Sequence, residues 1–216
     1  MSKKLINISV FIPLLFGTLT LNAQGFSNIP KTELIKLMVD SFENQICSYY
    51  SINPDEAFKA YPKYIKDIAS NKKTFNTITT EDELELLKIS KTELINYIWI
   101  TNKDKRERSD FNQGVNTDHS KDDEATKEYY ASLKSTDHIL SINYFDEYSE
   151  FLLNKSKNQD LKDLVITFRL VTDSSSMLTA SSISHLKENS FKEHSLRTFI
   201  AFELYYAILN TLNKNE

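Results

Sequence analysis

The chain has 216 residues, with 26 basic and 30 acidic side chains and a formal net charge of −4. That balance offers no positive field for a phosphate backbone, so nucleic acid is excluded as an expected partner. Eleven tyrosines and thirteen phenylalanines within an ordinary hydrophobic content of 40% exclude a wholly disordered chain and predict a packed core.

Residues 1–23 carry the pattern of a secretory signal peptide. Lys3 and Lys4 give a positive start, an apolar run extends from Leu5 to Leu21, and small Ala23 stands before Gln24. The expectation is cleavage after Ala23 and a periplasmic or secreted product, residues 24–216, in which loss of the two lysines takes the net charge from −4 to −6. Asn7, Ser9 and Pro13 interrupt the run, which disfavours the alternative of a membrane anchor. Beyond the signal only Gly25 and Gly114 remain, and the last proline is Pro62. Phosphate-cradling loops, dinucleotide fingerprints, nucleophile elbows and tight hairpins all need glycine where the backbone turns sharply. Helices joined by polar turns are therefore expected.

In chain order, the first predicted helix is 31–50, opened by Pro30 and carrying the stripe Leu34, Ile35, Met38, Val39, Phe42, Ile46. Cys47 stands alone, so no intrachain disulfide is possible, and its place beside that stripe predicts a small core residue. Asn53-Pro54-Asp55-Glu56 opens a second helix, 54–69, bent or broken at Pro62. Thr80 with Glu83, Ser90 with Glu93, and Ser190 with Glu193 each fit the S/T-x-x-E capping box. They predict helices over 81–88, 91–101 and 191–213. Between these lie a long polar loop at 102–121, helices over 122–134, 137–155 and 159–172, and a Ser/Thr-rich turn, Thr172–Ser184, that tucks Met177 and Leu178 onto the core. A further short helix is expected near 181–189. The run Leu164–Val171 is also β-prone. Lys31–Ile35 recurs word for word as Lys91–Ile95, which shared helix-start chemistry explains without a solenoid. The expected architecture is all-α: one domain, 24–216, forming an irregular bundle of about eight helices. Arg197 and Glu203 interrupt the last apolar helix, so no membrane span is expected after signal cleavage.

Chemistry is sparsely marked. His119, His138, His185 and His194 show no metal-ligand spacing, and no metal or cofactor is expected. The S-x-x-K pattern at Ser184–Lys187 and Ser70–Lys73 lacks the K-T-G element and glycine turns of serine acyl-enzymes. Glu203 is distinctive, lying in a segment apolar nearly all round, where a buried carboxyl has a raised pKa and suits general-acid work. Two plainer readings compete: a solvated stripe of Lys192, Glu203 and Asn210, and an ion pair with Arg169. Trp99, Arg106, Arg108 and Phe111 cluster in sequence at the polar loop, and such residue types dominate interface hot spots. The leading expectation is an exported protein that acts by binding another protein, as an envelope accessory factor or inhibitor, more binder than enzyme. An envelope-polymer hydrolase using Glu203 is the alternative, and a small-ligand carrier a further one.

Overall fold

The computed structural model describes residues 30–72, 74–108, 124, 128, 132, 134–170 and 175–212. Helix α1, Lys31–Tyr50, starts directly after Pro30 and buries the predicted stripe, Cys47 included. It ends at Ser51, whose left-handed backbone lets its N–H cap the Cys47 and Ser48 carbonyls. Desolvation first, and the charge of Glu43 second, push the Cys47 thiol up to about 11. The Asn53 side chain accepts from the Asp55 N–H at 3.1 Å and opens a 3₁₀ segment, Pro54–Lys59. The break expected at Pro62 falls at Ala60, and α2, Tyr61–Ala69, follows with proline in its first turn. A single turn, α3, Thr74–Ile78, leads to α4, Glu81–Glu93.

The Thr80–Glu83 capping box forms, and it does more than cap. Glu83 is fully buried. One carboxylate oxygen accepts from Thr80 N–H at 3.0 Å, while the other accepts from Ser41 Oγ at 2.5 Å and Gln45 Nε2 at 3.3 Å. The cap therefore ties α4 to α1, which supplies the partners that a buried carboxylate requires.

Five expectations are corrected. A separate helix over 91–101 does not form, because Ser90 is spent inside α4. Its Oγ donates to the Leu87 carbonyl and accepts Trp99 Nε1 at 3.0 Å, so it caps nothing. The chain instead turns at Asn96, where φ is 61°, and enters strand β1, Trp99–Thr101. The expected helix over 137–155 likewise divides into strand β2, Leu140–Ile142, and a helix, Glu147–Lys155. The two strands pair antiparallel with Trp99 opposite Ile142. The start of the predicted loop 102–121 is helical, as α5, Asn102–Arg108, its polar residues being good helix formers. The rest of that loop and most of the predicted 122–134 helix lie outside the described residues. The Glu147–Lys155 helix is designated α6.

The β-prone run is helical in α7, Gln159–Leu170, which buries Leu161, Val165 and Phe168. Residues 171–172, the predicted end of this helix, lie outside the described residues. The fourth correction concerns the Ser/Thr-rich turn. From a Ser175 cap it becomes helix α8, Ser176–Ile183, which packs Thr179, Ala180 and Ile183 inward against α2. Met177 and Leu178 face outward, 44% and 63% exposed. Small residues allow close helix contact, so the larger pair is turned to solvent. A 3₁₀ segment, Glu188–Lys192, stands near the short helix expected at 181–189.

The last helix begins at His194, not at the Ser190 box, because Glu193 accepts from Ser195 Oγ and the Lys157 N–H. It runs α over His194–Ala201, π over Phe202–Tyr206 and α again over Ala207–Leu212. Residues on all of its sides are buried, among them Phe199, Ile200, Phe202, Leu204, Tyr205 and Tyr206. The fold is an all-α irregular bundle around this helix, with one small two-stranded ladder among the described residues. No helix among them is long and apolar enough to cross a membrane.

Trp99 joins the ladder to the core, edge-on to Phe202 at 6.2 Å. Trp99→Ala should cost roughly 3–5 kcal/mol, read as a lower midpoint in urea denaturation. A change below about 1 kcal/mol would contradict its role as a core residue.

Candidate functional site

The π turn sets the site. The Ala207 N–H reaches back to the Phe202 carbonyl, five residues away, so the turn holds one residue more than an α turn. Two tyrosines fix it: Tyr64 Oη donates to the Leu204 carbonyl at 2.7 Å, and Tyr206 Oη donates to the Met38 carbonyl at 2.9 Å. Glu203 sits in this turn. Its Oε2 accepts from the Tyr144 hydroxyl at 2.6 Å, and Tyr144 is itself buried.

Neither plainer reading of Glu203 survives. Arg169 donates instead to the Tyr144 carbonyl at 2.8 Å, Ser149 Oγ at 2.7 Å and Glu150 at 2.7 Å. The proposed solvated stripe is broken as well. Asn210 is buried and donates to the Leu140 carbonyl at 2.7 Å, while the Lys192 ammonium lies 4.6 Å from the Phe58 ring centre. The extra residue in the π turn rotates everything after it, so an ideal helical wheel misplaces Asn210 relative to Glu203.

Glu203 lies at the edge of a cleft of about 510 Å³, deep enough to be desolvated and still reached from the opening. Leu140, Ile142, Phe168, Ala207, Ile208 and Leu212 give it an apolar wall. Lys105 from α5 and Ser141 from β2 line it too, with Ser175, Ser176 and Thr211. Desolvation raises the Glu203 carboxyl above its ordinary value of 4.5. The Tyr144 hydrogen bond and the Lys105 charge pull the other way. Among the described residues no cation pairs directly with Glu203, and no second carboxylate lines the cleft. Tyr148 is also near, within electrostatic reach of Glu203. Its buried hydroxyl lacks a partner among the described residues, and Tyr148 borders a separate pocket of about 100 Å³ with Tyr97, Phe151 and His194.

The residues expected to bind a partner are not gathered into one surface. Trp99 is wholly buried, a correction that follows from its indole N–H being bonded to Ser90. Arg106 pairs with Asp137, and Arg108 with Asp146. Phe111 lies outside the described residues. His185 stands 3.5 Å from Asp160, and His194 packs edge-on to Phe151 at 6.3 Å. Among the described residues no three His, Cys, Asp or Glu side chains converge on a common point. Tyr144 and Lys105 were not singled out as site residues. Tyr144 stood in the sequence as one more aromatic, and nothing local linked it to a residue 59 positions away. Comparison of the chain with family models, with curated proteins and with solved structures found no match.

The raised Glu203 carboxyl has a signed consequence. Between 4.5 and its higher folded value, the folded chain keeps a proton that the unfolded chain has lost, so stability falls as pH rises through that window. Glu203→Gln keeps an acceptor for Tyr144 and removes the titration. It should therefore be stabilised relative to wild type above the window and not below pH ~4, as read from thermal midpoints across pH. Tyr144→Phe removes a donor to the charged form and should move the window higher, measurable by carbon-detected NMR titration of the Glu203 carboxyl. A downward shift would contradict the geometry.

Proposed function

We propose that the chain is an exported ligand-binding protein that holds a small amphipathic molecule in the cleft over Glu203. One observation carries this reading: a cleft of about 510 Å³, lined by both apolar and polar side chains, with a desolvated carboxyl among them. Small-molecule sites combine apolar lining with convergent polar groups, and this cleft offers both. The cleft lies between elements held firmly by the buried tyrosines, which suits a preformed site. Export rests on the Lys3–Ala23 pattern alone. Binding to a protein partner has lost the aromatic anchor that favoured it, since Trp99 is core.

The hydrolase reading keeps one supporting observation, the raised Glu203 carboxyl, which suits a general acid. Glycoside hydrolysis of the usual kind asks for a second carboxylate across the cleft, and among the described residues none lines it. Ligand holding is the better account.

N-phenyl-1-naphthylamine, an apolar fluorophore, should brighten and saturate on the purified protein. Ala207→Trp, which fills the cleft, and Leu212→Glu, at its rim, should each weaken it about tenfold or more, with unchanged far-UV circular dichroism. No saturable signal from wild type would sink the reading. For export, the chain produced in a Gram-negative host should be recovered from the periplasm or medium with Gln24 as its N-terminus. A product retaining Met1 would remove that part.

A further inference from the structure

Resting on the ligand-binding reading, we propose that the ligand is an organic amine with a hydrocarbon tail, its ammonium on the Glu203 carboxylate and its tail along Ile142, Phe168, Ile208 and Leu212. Glu203 is half-buried, whereas Phe202 and Leu204 on either side of it are fully buried, so it is the side chain through which the π turn meets the cleft. Its Oε2 accepts from the Tyr144 hydroxyl, and its Oε1 accepts no hydrogen bond among the described residues. A desolvated carboxylate with one bonded oxygen gains most from a cation brought to the other. Two rings line the same cleft, Tyr144 and Phe168, with centres 5.0 Å apart. Aromatic lining is compatible with an organic cation, because ring faces carry negative charge density. Lys105, which has a further contact in the chain, lines the cleft as well. On the Glu203 carboxyl burial acts most strongly, the Tyr144 bond next and the Lys105 charge least.

The rest of the lining fits a ligand with one polar head. Ser141 Oγ donates to Asn102 Oδ1, Ser175 Oγ accepts from the Leu178 N–H, and Thr211 Oγ1 donates to the Ala207 carbonyl. These hydroxyls already serve the fold, so they are poorly placed to read a sugar. Leu212, which also lines the cleft, is 54% exposed. Ser176 lines it too, and the next two residues along α8, Met177 and Leu178, are large apolar side chains left in solvent. A hydrocarbon tail leaving the cleft on this side gains apolar surface to cover. A carboxylate head on the same tail would set anion against Glu203, and an alcohol head would forgo the ion pair. The ammonium is the head group that the carboxylate favours.

The test uses decylamine, decanol and decanoate, which share one tail and differ in head group, measured below micellar concentrations by calorimetry and by displacement of N-phenyl-1-naphthylamine. Decylamine should bind about ten- to hundredfold more tightly than either of the others, the range expected for one charge-assisted hydrogen bond. Hexylamine should bind about tenfold or more weakly than decylamine, because its shorter tail buries less surface. Glu203→Gln should bring decylamine down to the affinity of decanol and leave decanol within about twofold of its wild-type value, with thermal melts checking the fold. If the fluorophore binds and decylamine fails to displace it, or binds no better than decanol or decanoate, the amine assignment is overturned while the cleft stands. That comparison needs only the wild-type chain. Hexylamine matching decylamine would overturn the tail. If the fluorophore itself does not bind, the cleft reading falls, and the amine assignment with it.

Discussion

A helix buried over most of its surface sets the terms for the rest of this molecule. The segment His194–Leu212 lies at the centre of the bundle, so each polar atom that its π turn and its side chains expose to the interior needs a buried partner. Tyrosine hydroxyls meet that need. Tyr64 reaches the Leu204 carbonyl, Tyr206 reaches back to Met38 in α1, and Tyr144 reaches Glu203. The same rings fill space: Phe42 stacks on Tyr205 at 4.9 Å, while Trp99 and Tyr148 meet Phe202 edge-on. Packing and polar satisfaction are thus supplied by one residue type, which accounts for a tyrosine-rich core.

Glu203 departs from this economy. Its carboxyl receives one hydrogen bond and no direct cation among the described residues, where an apolar residue of similar size would have packed without the desolvation cost. The Tyr148 hydroxyl nearby is a second buried polar group left unsatisfied among the described residues. Glu203 also lines the cleft beside the π turn.

Much of the fold was legible because local chemistry settles it. Pro30, Asn53-Pro54 and the Thr80–Glu83 box each start a helical element where the sequence places one, and the α1 stripe buries as its spacing implies. The failures have tertiary causes. Ser90 has the sequence of a cap and is spent instead on a tryptophan nine residues away. The strands at 99–101 and 140–142 are three residues each, too short to show alternation, and they exist because they pair with each other. The Ser/Thr-rich stretch looked like a turn, but its small residues are what let α8 lie close to α2. The site was legible only through Glu203. Its partner Tyr144 and its neighbour Lys105 come from distant elements, and the π turn that aims it leaves no mark in hydrophobic spacing.

Cys47 shows what burial does to a reactive group. The thiol is almost wholly enclosed by α1 and its neighbours, and its proton is held until pH nears 11. Attack on disulfides and oxidation both proceed through the thiolate. At neutral pH only about one molecule in ten thousand carries one there, and that one is shielded from partners. A chain with a single cysteine ordinarily risks covalent dimers wherever disulfides form. Here the sulfur packs as a small apolar filler, and burial lowers the share of thiolate available for exchange.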